Sequence, residues 1–348
     1  MIIPVFNRLE LLKETVNSVL RQSLETWELI LSDDGSDPPT REYLAALEAT
    51  DKRIRVLWQG EGTKGAGKCR NAGLNAAKGA GLMFLDSDDL LLQDCLQNRV
   101  EIMESERPEF DFFVFQSAIF FEHPLNADRY WNTFNEEDDL FRFLSIDVVW
   151  PVCGVIWKTS FLKSRKVRFR EEALSYQDWF FHVDVLSKKP LYKKFSQTTD
   201  VLIRRSAGYN KISDAHYERI VALQRFEMLI DTFENSLVKN ESRYSSALVH
   251  SILREWNRLL AKGISVPDRL SSSLQLNSDR EGSSTKSFRF LKRLNNLSSK
   301  FLLPGRIYRK VFSSGDFRNK MHSNSGYLTF MSAEQQYLLH QQILQSGF

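Results

Sequence analysis

Cysteine is nearly absent: Cys69, Cys95 and Cys153 are the three in 348 residues. They match no metal-ligand spacing, and an odd, widely separated set argues against a disulfide framework. Reduced thiols in a cytoplasmic compartment are therefore expected. No run approaches the about 18 apolar residues a transmembrane helix needs, so none is expected. The opening Met1-Ile2-Ile3-Pro4-Val5-Phe6 lacks the basic lead of a secretory leader. It reads as the second half of a strand, and the natural chain is expected to start a few residues upstream. Internal repeats are missing. A strong overall charge is missing too, since the formal net charge is +3.

That small net charge hides an asymmetry. From Lys211 onward there are 20 Lys/Arg against 12 Asp/Glu, and the chain totals of 47 and 44 leave 27 and 32 before it. An acidic front and a basic back suggest two parts with different partners. Hydrophobic content of 42% and charged content of 26% are those of a globular protein with a sizeable core.

The front part alternates strand-like and helix-like segments. Met1–Phe6, Trp27–Ser32, Ile54–Trp58 and Leu82–Leu85 read as strands. Leu9–Gln22, Arg41–Ala49 and Cys69–Lys78 read as helices, the first with Leu12, Val16, Val19 and Leu20 at helical spacing. Gly60–Gly67 carries four glycines in eight residues, a loop free to approach a ligand closely. Repeated β-α-β units imply a parallel sheet with helices on both faces, and such sheets bind ligands at the carboxyl ends of their strands. Those ends hold Asn7, Asp33 and Asp34, the Gly60 loop, and Asp86 and Asp88.

Beyond residue 100 the pattern changes. Phe110–Phe121 reads as a strand, Trp150–Trp157 as a loop followed by a strand, and Tyr176–Leu186 as a helix. Arg204–Ser213 reads as a polar loop with two arginines, and His216–Lys262 as helical. Pro267–Thr285 is Ser-rich and polar, a linker by composition.

The run Leu82-Met83-Phe84-Leu85-Asp86-Ser87-Asp88-Asp89 is the most informative segment. It is an apolar strand that ends in three carboxylates. Such a cluster is costly unless something positive sits against it. Hard oxygen ligands at that place suit Mg²⁺ or Mn²⁺ carrying a phosphorylated ligand, although a turn with solvated acids is the plainer reading of an isolated Asp-x-Asp.

Four motifs in order, Ile2-Ile3-Pro4-Val5-Phe6-Asn7, Ser32-Asp33-Asp34-Gly35-Ser36, Cys69-Arg70-Asn71-Ala72-Gly73-Leu74 and Phe84-Leu85-Asp86-Ser87-Asp88-Asp89, resemble those of the family-2 glycosyltransferases. The resemblance covers about residues 1–100 and extends more weakly to about residue 213 through Gln177-Asp178 and Arg204–Ser213. It implies an α/β GT-A fold, Rossmann-like, with a mixed, mostly parallel sheet flanked by helices. The glycosyltransferase domain would be 1–213, followed by a mainly helical C-terminal extension over 214–348.

The resemblance also implies roles. Pro4 and Phe6 would line the donor site; the family usually has Tyr at Phe6, and a Phe ring keeps stacking on a nucleobase while losing a hydrogen bond. Asp34 would accept a hydrogen bond from the base, typically uracil N–H, and Asp33 would be structural. Arg70 would meet phosphate or ribose oxygens, or else form a structural ion pair. Asp88 would contact Mn²⁺ or Mg²⁺, and Asp86 the ribose or a metal-bound water. Asp178 would be the general base, with Gln177 standing where the family has Glu. Its plainer role is a helix N-cap, and Asp89 is expected to cap the helix that follows it. Trp150 and Trp179 would line an acceptor pocket or belong to the core. Arg204 or Arg205 would help hold the pyrophosphate, although the His that often follows in the family is missing from Ser206-Ala207-Gly208-Tyr209-Asn210.

The implied activity is metal-dependent, inverting transfer from a nucleotide-diphospho-sugar, UDP by default through Asp34, to a hydroxyl of a glycan or lipid-linked acceptor in cell-surface polysaccharide synthesis. Lys286–Leu303 looks amphipathic, and 286–310 contains no acid. It fits either peripheral contact with the inner face of a membrane or a solvated basic face on a folded helix. No nucleic-acid-binding motif accompanies this charge, so no nucleic-acid partner is expected. Two other readings compete. One is a catalytically inactive sugar-nucleotide-binding scaffold. The other is a nucleotidyltransferase, which would want a glycine-rich basic signature where this chain has Asn7-Arg8-Leu9-Glu10.

Overall fold

The computed structural model describes residues 1–60, 65–205, 215–235, 241–264 and 329–348. Three short apolar strands, β1 (Ile2–Val5), β2 (Leu29–Asp33) and β3 (Ile54–Trp58), pair in parallel in that order. Helices α1 (Leu9–Leu20) and α2 (Pro38–Thr50) make the crossovers. The α2 helix starts earlier than its apolar spacing suggests. Asp37 caps it by accepting the Thr40 N–H at 3.1 Å, and the prolines fall in the first turn, where a missing N–H costs nothing.

After α3 (Ala66–Ala76) and β4 (Gly81–Leu82), the chain runs along the other edge of β1. Ile2 N–H donates to Met83 O at 2.9 Å, and Leu85 N–H donates to Ile2 O at 3.0 Å. The segment read as one fourth strand thus serves two neighbours: Met83–Leu85 joins β1 in parallel, while β4 pairs antiparallel with a later strand. These residues are buried on both sides, which explains their unbroken apolar runs. Ile2, Ile30 and Phe84 face one core, and Ile3, Leu31, Met83 and Leu85 face the other.

The chain continues through β5 (Leu90–Leu91), α4 (Cys95–Ser105), β6 (Phe112–Phe121), β7 (Arg129–Tyr130), α5 (Asp139–Leu144), β8 (Val155–Lys158), α6 (Thr159–Ser164), α7 (Gln177–Leu186) and β9 (Tyr192–Arg205). β8 lies between β4 and β6, antiparallel to both. β6 pairs in parallel with β9, which returns antiparallel to β5. The sheet is therefore parallel at its N-terminal side and mixed beyond it. Arg204 and Arg205, expected in a loop, are the last two residues of β9. One buried ion pair ties β9 to α4: Arg99 Nε and Nη2 meet Asp200 at 2.8 and 2.6 Å, with Arg99 fully buried.

Helices α8 (Ala215–Asn235) and α9 (Ser242–Ala261) pack on each other, and α9 packs on α5. They extend the core that contains Trp150, Trp157 and Phe181. Residues 329–348 return to the sheet: β10 (Thr329–Phe330) pairs with β7, and α10 (Ala333–Gln345) buries Leu339 and Ile343 against Leu90, Phe120 and Leu202. The boundary expected at 213/214, the Ser-rich linker at 267–285 and the basic segment 286–310 lie outside the described residues.

Candidate active site

The parallel strands end at one rim, and the chain turns sharply there. Leaving β1, Asn7 and Arg8 both adopt left-handed backbone conformations, with φ of 57° and 59°. The turn is held by the Asn7 N–H, which donates to Ser36 Oγ at 2.8 Å, and by Asn7 Oδ1, which accepts the Asp37 N–H at 2.8 Å. At the end of β2, Asp33 is buried and its carboxylate accepts the N–H groups of Gly35 and Ser36. It shapes the turn, as expected. Asp34 is partly exposed, and its Oδ2 accepts the Gly65 N–H at 2.8 Å. Gly65 has φ of +136°, so a side chain there would strain the glycine loop that meets Asp34.

These turns enclose a cleft of about 300 Å³. Pro4, Phe6, Asp34, Arg70, Asp86 and Asp88 all line it. Every residue expected at the donor and metal site is therefore in one place. Phe6 is 48% exposed, which excludes simple core packing for its ring.

Arg70 ties the cleft together. Its guanidinium is 5% exposed and lies 2.5 Å from Asp86 Oδ1. It also donates to Gln177 Oε1 at 3.0 Å and lies 3.6 Å from Asp178 Oδ1. The Phe169 ring lies against its other side, with its centroid 5.0 Å from the guanidinium carbon. Gln177 is itself pinned, donating to Ala173 O at 2.7 Å. Its amide thus does the orienting that a neutral acceptor can do, without adding a carboxylate.

Asp178 is not the helix cap. Tyr176 takes that position with φ of 58°, and Asp178 sits in the first turn of α7. Its carboxyl is pushed up to about 6, chiefly by burial; Arg70 opposes the shift, Asp86 adds to it, and the Val152 N–H again favours the ionised form. A carboxyl so placed can take and return a proton near neutral pH.

The acidic run is surrounded by arginines. Asp88 Oδ2 meets Arg8 Nη1 at 3.1 Å. Burial and Asp86 raise the Asp88 carboxyl above its ordinary range, while Arg8 and Arg204 pull it down. Asp89 does not cap a helix, contrary to expectation. It is buried, and its Oδ1 accepts the Arg204 N–H at 3.0 Å, fastening β9 to the acidic turn. Burial, Asp86 and Asp88 hold its carboxyl well above the usual range. Arg204 Nε donates to Asp88 O at 3.0 Å, which ties the end of β9 to the acidic turn, whereas Arg205 lies over Trp131.

Trp150 and Trp179 are core residues. Both are buried, and their indole N–H groups donate to His182 Nδ1 and Phe143 O. Arg8 was not singled out by the sequence, because nothing in Asn7-Arg8-Leu9 says that its side chain reaches a residue 80 positions on.

For a divalent ion the chain offers the carboxylates of Asp86 and Asp88, each ion-paired through one oxygen. Among the described residues no group of three or more His, Cys, Asp or Glu is arranged as a complete metal site. Two carboxylates fit an ion of the Mg²⁺ or Mn²⁺ type that completes its shell with phosphate and water oxygens.

Comparison with known proteins bears on the family and the fold. Residues 1–164 match the family described as "Glycosyl transferase family 2". Over 102 residues the chain is 37% identical to the UDP-Glc:alpha-D-GlcNAc-diphosphoundecaprenol beta-1,3-glucosyltransferase WfgD of Escherichia coli, covering 29% of this chain and 39% of that protein. Over 100 residues it is 34% identical to the GalNAc(5)-diNAcBac-PP-undecaprenol beta-1,3-glucosyltransferase of Campylobacter jejuni, covering 29% of this chain and 32% of that one. The chain thus spans well under half the length of these two relatives. Its fold resembles that of S. aureus TarS 1-349, with TM-score 0.51 and 15% identity over 85% of this chain and 90% of that one. The same protein in complex with UDP-GlcNAc gives TM-score 0.50 and 17% identity, with the same shares covered. At such low identity the likeness is one of fold.

Proposed function

We propose that this chain, whose residues 1–164 match glycosyl transferase family 2, moves a sugar from a UDP-sugar to a hydroxyl of a glycan or lipid-linked acceptor, with inversion at the anomeric carbon. The observation that carries this reading is the reach of Arg70. One buried guanidinium contacts both Asp86, on the donor side of the cleft, and Asp178, the candidate base. Donor and base therefore share one electrostatic unit.

Each residue has a distinct task. Phe6 offers a face to the nucleobase, and Asp34 an acceptor to its N–H. An acceptor placed against the base discriminates against bases that cannot donate to it. Arg70 orients the ribose–phosphate portion and keeps Asp86 in place. Asp86 and Asp88 would hold Mg²⁺ or Mn²⁺, which when bound supplies positive charge to the departing nucleoside diphosphate. Asp178 takes the proton of the acceptor hydroxyl as that oxygen attacks from the face opposite the diphosphate, which gives inversion. The names of the E. coli and C. jejuni relatives, both acting on undecaprenol-linked diphosphates, support a lipid-linked acceptor. No helix among the described residues is long and apolar enough to cross a membrane. Membrane contact would then fall to the basic segment 286–310.

The test is calorimetric titration of UDP with and without Mn²⁺, on the wild-type chain and on Asp88→Ala. Metal-dependent UDP binding that is lost in the variant is the expected result. Silence towards UDP, GDP and dTDP alike would overturn the donor site and favour an inactive scaffold.

A further inference from the structure

We infer that Asn71 and Phe169 are positioning residues of the donor site: Asn71 seats Phe169, and the seated ring fixes where the Arg70 guanidinium stands between Asp86 and Asp178. The inference rests on the donor-site reading above and names what holds its central arginine.

Polar bonds alone do not fix Arg70. Among the described residues its hydrogen bonds run through Nη1, to Gln177 Oε1, and Nη2, to Asp86 Oδ1, while its buried Nε has no hydrogen-bond partner. Asp86 at 2.5 Å and Asp178 at 3.6 Å both attract the group, and bonds at its two terminal nitrogens leave it able to pivot. The Phe169 ring supplies further support. Its centroid lies 5.0 Å from the guanidinium carbon, within the range of a cation–π contact, which is stronger away from water. Both residues are buried. The ring is itself held. It stacks on Phe181, with centroids 4.1 Å and planes 8° apart, and meets Phe84 edge-on at 5.0 Å. Phe181 lies on α7, three residues beyond Asp178. The ring that supports Arg70 therefore rests on the helix that carries the candidate base.

The backbone of Phe169 is fixed from α3. Asn71 Oδ1 accepts the Phe169 N–H at 2.9 Å, and Asn71 Nδ2 donates to Phe169 O at 2.9 Å. One side chain thus meets both polar groups of one residue, which requires a donor and an acceptor together. Its Nδ2 also donates to Glu171 Oε1 at 3.0 Å. Gly67, one turn earlier on α3, lets this segment approach: a Cβ there would lie 3.2 Å from Arg170 O. Asn71 follows Arg70 directly, so the residue that presents the guanidinium and the residue that seats its support are neighbours on one helix. Holding Arg70 in place before the donor arrives spares the cost of ordering it on binding.

The experiment measures UDP binding at saturating Mn²⁺ by calorimetry on wild type, Phe169→Leu and Asn71→Ala, with circular dichroism confirming the fold. Phe161→Leu, in the same core but packed on Phe112, is the control for general loosening. Phe169→Leu and Asn71→Ala should each weaken UDP binding by about two- to tenfold, the cost of ordering one long side chain on binding. The control should bind UDP as wild type does. The Arg70 Nε–H resonance, assigned by its loss in Arg70→Lys, should be shifted by the ring current in wild type. In Asn71→Ala it should move back towards the ordinary arginine position, although Phe169 is still present. Should Asn71→Ala not fold, Phe169→Leu, which keeps the core filled, decides alone. A wild-type chain that binds UDP while the folded site variants bind it as tightly, or while Phe161→Leu weakens it equally, overturns the positioning and spares the donor site. An Arg70 resonance that does not move in Asn71→Ala overturns the seating. A wild-type chain that binds no UDP overturns the donor-site reading, and this inference with it.

Discussion

Asp178 sets chemistry against stability, and the conflict can be measured. Its carboxyl moves from an ordinary 3.8 to about 6 in the folded chain, with burial as the main cause. The folded value lies above the unfolded one, so the native state holds this proton more tightly than the unfolded chain does. The stabilising contribution is then fully present below about pH 4 and is lost as pH rises to about 6. A difference of about 2 pH units corresponds to about 3 kcal/mol if the group were sealed from solvent. The side chain is 33% exposed, so screening reduces this to about 1–2 kcal/mol.

Replacing Asp178 with Asn removes the ionisation while keeping the shape. Arg70 retains Asp86 and Gln177 as partners. The variant should therefore be more stable than wild type by about 1–2 kcal/mol at pH 7, and the difference should vanish near pH 4. Urea unfolding at a series of pH values, without nucleotide, reads this directly. Taking the difference between variant and wild type cancels the other carboxylates. Sugar transfer should fall by about 10²- to 10⁴-fold while UDP binding persists. A stability difference that stays flat between pH 4 and 7, or an Asn variant less stable at pH 7, would refute the burial argument. Full activity in the variant would remove Asp178 from the base role.

Two predictions concern the scaffold. Helix α3 packs on β1, and a Cβ on Gly73 would run into the Ile2 side chain, so Gly73→Ala should lower the urea midpoint through about 1–3 kcal/mol of overpacking, outweighing the about 1 kcal/mol of helix propensity gained; a stabilised variant would refute that packing. Asp200→Ala strands the fully buried Arg99 and should cost about 3–5 kcal/mol, whereas the Arg99→Met/Asp200→Leu double variant should recover most of it in thermal unfolding.

The donor side of the cleft was legible in the sequence because its geometry is local. Parallel strands bring their carboxyl ends to one rim, so a residue just past an apolar run has a known address. Phe6, Asp34, Asp86 and Asp88 each follow such a run, and the cleft contains all four. Arg70 was legible for a similar reason, lying on the helix that enters from the glycine loop. The indoles of Trp150 and Trp179 were not decidable, because an aromatic in a loop or helix start has the same sequence signature whether it lines a pocket or fills a core.

The misreadings share one physical cause: the partner lies far along the chain. β9 escaped notice because its burial is confined mainly to Asp200–Ile203, while the preceding residues from Tyr192 onward are largely half-exposed and polar. Its strand character comes from pairing with β6 and β5 on either side, which local propensity does not encode. Once β9 is in place, Arg204 arrives beside Asp88 and Asp89, and Asp89 accepts a backbone N–H from it instead of capping the next helix. Helix caps are local and readable, whereas a buried carboxylate that fastens two strands looks identical to a cap until its partner is found. The same holds for Gln177. As a sequence departure it weakens the resemblance to an acidic pair, but its amide oxygen still accepts from Arg70. Among the described residues Asp86 and Asp178 are the carboxylates paired with that guanidinium, so Gln177 keeps Arg70 shared between donor side and base, where a further acid at position 177 would compete for it.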